Sequence, residues 1–215
     1  MNTTQQTFAA GVTVLALFGF AGQAQAESLD EPSSTAAVAT ESAESDAPKI
    51  MIEIDPMPFG LSGHAVHVRV PISSVPGLVV SAGTYGMSFP DVFTDINSEN
   101  RDEGWNAQID KAYATFADYH FSGKVEGFFV GAQLAYQGFE VERDQSDERI
   151  DFGVVIAMAR VGTLWKPFDS GFYVLPWAGV YANIRTDDKK LEIGGEKFDV
   201  APVAGFATLH LGWQY

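Results

Sequence analysis

The chain has 215 residues, 13 basic against 28 acidic side chains for a net charge of −15 at pH 7, and no cysteine. That balance excludes general nucleic-acid binding, because phosphates demand Lys and Arg. The absence of cysteine excludes a disulfide framework, a thiolate metal site and a cysteine-linked lipid anchor. Apolar residues make up 46% of the chain and aromatic residues 13%, yet mean hydropathy is +0.01. Polar and apolar positions must therefore interleave.

The chain opens on an uncharged apolar run, Phe8 to Ala21, followed by Ala24-Gln25-Ala26 and Glu27. The run is shorter than the roughly 20 residues of a spanning helix and is followed by a small-x-small site. Residues 1–26 are therefore predicted to be a cleaved signal peptide, although the only positive charge ahead of the run is the α-amino group. Residues 27–48 are Ser, Ala, Thr, Glu and Asp with hardly a large apolar side chain. Such a segment cannot bury enough surface to offset chain entropy, and it is predicted to be a disordered acidic leader.

Eight strand-like runs occupy residues 49–215: Ile50–Asp55, Ser62–Ile72, Gly77–Met87, Trp105–Tyr119, Val125–Val141, Ile150–Trp165, Gly171–Ile184 and Val203–Tyr215. Short turn-like connections (Ser73–Pro76, His120–Lys124, Lys166–Ser170) alternate with longer, mostly polar ones (Ser88–Gly104, Glu142–Arg149, Arg185–Pro202). The brief Pro56–Leu61 link breaks that alternation. Short turns on one side and long loops on the other are the habit of an even-stranded outer-membrane barrel. The expected fold is all-β, an eight-stranded antiparallel transmembrane β-barrel.

Side-chain alternation assigns the faces. In the second run Val66, Val68, Val70 and Ile72 oppose Ala65, His67 and Arg69. In the fourth, Trp105, Ile109, Tyr113 and Tyr119 oppose Asn106, Gln108, Asp110 and Asp118, with Lys111 on the wrong face. In the fifth, Phe128, Val130, Leu134 and Tyr136 oppose Gly131, Gln133 and Gln137. Residues 150–165 and 171–184 are apolar on both faces and leave the orientation open. Lipid requires the apolar set outside. His67, Arg69, Gln108, Asp110, Gln133, Gln137, Thr208 and His210 are thus predicted to form a polar plug in an interior too narrow for an open channel, with Arg69 pairing Asp110. Trp105, Tyr119, Trp165, Trp213 and Tyr215 fall near strand ends, where interfacial aromatics sit. A soluble lipocalin-like barrel would reverse inside and outside.

No catalytic constellation emerges. The histidines are His64, His67, His120 and His210, and no motif supplies His64 with a serine partner. Acidic residues crowd two long loops, including Asp91, Asp95, Glu99, Asp102 and Glu103 in one, and Glu142, Asp144, Asp147 and Glu148 in the other. Carboxylates suit Ca²⁺ or Mg²⁺, but the Gly and spacing of an EF-hand are missing. No cofactor or metal is expected.

The last residues, GFATLHLGWQY, place Ala207, Leu209, Leu211, Trp213 and Tyr215 on one face. Leu209, Leu211, Trp213 and Tyr215 resemble the C-terminal assembly signal of outer-membrane barrels. With IEIDPMPFGLSGHAVHV, AGTYGMSFPDVF, FVGAQLAYQGFEV and ARVGTLWKPFDSGFYVLPWAGV, they make the chain resemble a group of small, largely uncharacterised proteobacterial outer-membrane β-barrel proteins. That group is similar in architecture to OmpA- and OmpW-like eight-stranded barrels. The resemblance implies an outer-membrane location, contact with lipid and lipopolysaccharide, delivery by the barrel-assembly machinery, and a monomer with a structural or surface-exposed role. It supplies no catalytic residue. The alternatives are an OmpW-like conduit for small or hydrophobic solutes, which a wall weakened at a residue such as Pro176 would favour, and a lipid-A-modifying enzyme.

Overall fold

The computed structural model describes residues 50–89, 91–144 and 146–215; the predicted signal peptide and acidic leader lie outside the described residues. The eight runs fold as β1 (Met51–Ile54), β2 (His64–Pro71), β3 (Leu78–Phe89), β4 (Trp105–His120), β5 (Gly127–Arg143), β6 (Arg149–Leu164), β7 (Phe172–Arg185) and β10 (Val203–Gln214). A two-stranded hairpin, β8 (Glu192–Ile193) with β9 (Glu196–Lys197), lies in the last long connection. It turns through Gly194 (φ 62°) and Gly195 (φ 89°), a pair of left-handed positions that glycine alone fills without strain.

Every neighbouring pair of long strands is antiparallel. The order β1-β10-β7-β6-β5-β4-β3-β2 returns to its start as a closed barrel. Closure rests on a short seam, with Met51 opposite Gln214 and Ile54 opposite Leu211. From Val203 to His210, β10 pairs with β7 alone. On its other side stands the short helix α1 (Pro56–Gly60), packed against β2, β3 and β10. The chain leaves the sheet there because Pro56 and Pro58 cannot donate ladder hydrogen bonds, while proline suits a helix's first turn.

The two strands apolar on both faces are oriented by burial. Phe152, Val154, Ile156, Met158 and Arg160 point inward from β6; Tyr173, Leu175 and Trp177 point inward from β7. The sequence was ambiguous because half of the interior is itself apolar.

β4 corrects the predicted face assignment. Its register with β3 slips between Tyr85 and Met87, and with β5 between Ile109 and Lys111. Asp110 is the extra residue of this bulge, and such an insertion reverses inside and outside beyond it. Below the bulge Phe116, Asp118 and His120 are buried while Tyr113 and Tyr119 are exposed; above it Trp105, Ala107 and Ile109 are the buried set. Lys111, the misfit of a strict alternation, marks the slip.

Small residues make room where the interior is crowded. A Cβ on Gly83 would collide with the His67 ring, one on Gly131 with the Asp118 carboxylate, and one on Gly212 with the Tyr173 ring. At the long-loop end Leu191, Ile193 and Phe198 pack with Trp105, Val141 and Phe152 in one buried cluster. Asn97 and Asn100 hold the segment through Asp199, the Asn100 amide donating to its carbonyl at 2.9 Å and the Asp199 N–H returning to Asn100 Oδ1 at 2.7 Å. The loops thus fold into the mouth of the barrel.

Candidate functional site: the barrel interior

The half of the interior nearer the short turns is ionic. Asp118 is its centre: Arg160 donates through Nε to Oδ1 at 2.9 Å and through Nη2 to Oδ2 at 2.6 Å, a bidentate pairing. Arg69 Nη1 lies 3.1 Å from Asp118 Oδ2 and 3.6 Å from Glu53 Oε1. All four side chains are essentially inaccessible to solvent. The Arg160 guanidinium also stacks over Phe116 at 4.3 Å and Trp177 at 4.8 Å, which shields its charge with π-faces. Glu53 is shared further: Tyr173 donates its hydroxyl to Oε2 at 3.1 Å, and His210 Nδ1 stands 2.9 Å from Oε1. Trp177 Nε1 can only donate and does so to His210 Nε2 at 3.1 Å, so the His210 proton sits on Nδ1 and is given to Glu53.

Of the predicted plug residues, His67, Arg69, Gln133, Gln137 and His210 are buried in the interior. Thr208 is half-buried and donates to Asp55 Oδ1 at 2.9 Å and Oδ2 at 2.8 Å. Gln108 and Asp110 are corrections. The bulge turns them to the outer wall, where Gln108 donates to Glu140 at 2.7 Å and Asp110 pairs with Lys111 at 3.6 Å, both partners largely exposed. Arg69 therefore pairs with Asp118 and Glu53, not with Asp110. Trp105 is likewise buried rather than at an exposed strand end, whereas Tyr119, Trp165, Trp213 and Tyr215 are exposed. Leu209 and Leu211 are half-buried on that same outward face.

Sequence reasoning missed Glu53, Asp55, Arg160 and Tyr173. Glu53 was detectable as the polar member of an Ile-Glu-Ile alternation; Arg160 was hidden in a strand whose two faces look alike.

Asp55 joins the ionic half to the wall. It is the N-cap of α1, accepting the Met57 N–H at 2.9 Å, and the same carboxylate accepts Thr208 from β10. One side chain thus caps the helix and latches it over the unpaired stretch of β10. Replacing Asp55 with Ala removes both, a loss of roughly 2–3 kcal/mol for cap plus charged hydrogen bond. The expected result is accelerated hydrogen exchange at the Met57 amide, while Thr208→Val, which leaves the cap in place, preserves most of its protection.

Above the ionic half lies a cavity of about 130 Å³. Met87, Ile109, Phe139, Ile156, Met158 and Phe206 give it apolar walls, and Asp55, His67, Gln133 and His210 a polar floor. Glu53, His67 and His210 also offer ligand atoms within 4.8 Å of one another, the arrangement among the described residues closest to a metal centre. It fits a cation poorly, because both His210 nitrogens are engaged and Arg69 already faces Glu53.

At the long-loop rim much of the acidity is neutralised locally. Arg149 holds Glu140 and Glu142, each at 2.9 Å, and Arg143 bonds the Glu103 carbonyl at 2.9 Å. Desolvation pushes the Asp187 carboxyl up, but hydrogen bonds from Arg185 and from the Gly153 and Lys189 N–H groups outweigh it and hold it below the usual carboxylate range.

No family model, curated protein or solved structure matches the chain.

Proposed function

We propose that the chain is an integral outer-membrane β-barrel with a structural or surface-exposed role, its long acidic loops forming the surface offered to lipopolysaccharide or other partners. The supporting observation is the outer wall. Ile52, Val66, Val68, Val80, Tyr113, Val130, Leu134, Tyr136, Val161, Val180 and Val203 are all exposed, and exposed apolar surface of that extent requires a partner. On β5 the outward positions from Phe128 to Gly138 carry no charge. Those ten residue steps rise about 25 Å at a barrel's usual strand tilt, the height of a lipid-facing band. At the short-turn end Tyr119, Phe121, Phe128, Trp165, Phe168, Trp213 and Tyr215 form an exposed aromatic row, suited to a headgroup interface. Charges inside and hydrocarbon outside is the reverse of a soluble barrel. Among the described residues no helix is long and apolar enough to cross a membrane.

A second reading, a conduit for small or hydrophobic solutes, draws on the seam. The wall between β10 and β2 is closed by α1 rather than by a strand, and Pro58 of α1 lines the cavity behind it. The ladder at Pro176 is also interrupted, between the Gly162–Trp177 pair and the Trp165–Val174 bridge, but hydrogen bonds of 2.8 and 2.9 Å close it again.

The test is membrane fractionation with electrophoresis in SDS, with and without boiling. An outer-membrane barrel is expected in the outer-membrane fraction and to migrate differently until boiled. Recovery as a soluble periplasmic protein that shows no shift would overturn the reading.

A further inference from the structure

We propose that the interior cavity is a binding site for a small, uncharged ring compound bearing one hydroxyl group, of the size of phenol. Size sets the first limit. The cavity measures about 130 Å³, and an apolar cavity of about 150 Å³ is known to accept benzene. Its walls include two methionines, four phenylalanines (Phe116 among them) and two isoleucines. Thioethers and aromatic edges suit a flat ring.

The floor supplies the polar requirement. His67 Nδ1 and Gln133 Oε1 are buried without a hydrogen-bond partner, and both side chains line the cavity. They converge beside Phe116, which pairs across the sheet with Gln133 and meets the His67 ring edge-on at 5.4 Å. A buried carbonyl oxygen lacking a donor is costly, and a ligand hydroxyl satisfies it. Charge is excluded because the nearby carboxylates are already engaged: Asp55 by Thr208 and Met57, Glu53 by Arg69, Tyr173 and His210. A charged ligand would remain unpaired in this interior. Bulk water has the hydrogen bonds but leaves the apolar walls unfilled.

This inference gives the conduit reading a ligand, and it stands on the interior alone, whichever solvent the outer wall faces. The purified, folded full chain in detergent is titrated with 4-fluorophenol and, separately, with fluorobenzene, followed by ¹⁹F NMR. Saturable binding is expected, with fluorophenol favoured over fluorobenzene by roughly 5- to 10-fold, the worth of one hydrogen bond. In Gln133→Leu that preference is expected to vanish while fluorobenzene still binds. Ala65→Phe, which puts a ring into the cavity from its wall, is expected to abolish binding of both, with folding checked by circular dichroism. Three results would each overturn the proposal: no saturable binding to the folded wild type, equal affinity for the two probes, or binding undiminished in folded Ala65→Phe. Binding by a protein found soluble in the periplasm would overturn the membrane reading and leave the cavity assignment standing.

Discussion

Asp118→Asn is expected to lower the unfolding free energy by about 3–5 kcal/mol, the cost of stripping one partner from a buried ionic cluster. Asp118 accepts Arg160 on both of its oxygens, and it shares Arg69 with Glu53. An amide in its place aims an NH₂ group at one of two guanidiniums that have no water to turn to. The measurement is the urea midpoint of the folded barrel in detergent or vesicles. Removing the cluster together (Arg69→Met, Asp118→Leu, Arg160→Met, with Glu53→Gln) is expected to recover most of the loss, because apolar replacements of similar volume carry no desolvation penalty. A midpoint unchanged in Asp118→Asn would mean that the two arginines are solvated.

Leu134→Arg is the second large effect, and it reads the environment of the outer wall. Leu134 is 59% exposed midway along β5, flanked outward by Ala132 and Tyr136. In lipid, an arginine near the midplane of a barrel wall costs about 2–4 kcal/mol. In water, a surface substitution of this kind changes stability by no more than about 0.5 kcal/mol. Asn106→Arg, on the outer wall above the β4 bulge, serves as the internal control and is expected to be nearly silent in either solvent. Equal, small effects at both positions would place the whole wall in water.

The strands were legible because period-2 alternation is a local property: β2, β5 and β10 each carry it plainly, and their predicted limits fall within about two residues of those observed, the usual scatter of strand ends. The interior was legible only where polarity marked it. His67, Arg69, Gln133 and His210 stand out against apolar neighbours, whereas Ile156 and Met158 face a cavity as apolar as the outer wall and leave no contrast. Asp110 failed for a different reason. A bulge is one residue out of step, and alternation read straight through it assigns every position beyond it to the wrong face. Glu53 and Arg69 meet across the β1–β2 pair, but Asp118 and Arg160 arrive from strands far along the chain, and pattern reading has no means of selecting such partners.

The seam between β1 and β10 also orders events in time. It joins residues 51–54 to residues 211–214, nearly the largest separation the described chain allows, and such contacts form last because the intervening loop must first be closed. Arg69, Asp118 and Arg160 belong to β2, β4 and β6, and they can assemble on a sheet that is still open. Glu53 and His210 meet only when the ring shuts. Until then the sheet carries two bare edges able to pair with any passing strand. The short, four-residue clasp is thus the step at which a half-built barrel becomes committed, and Glu53, already beside Arg69 on the neighbouring strand, gains Tyr173 and His210 only then.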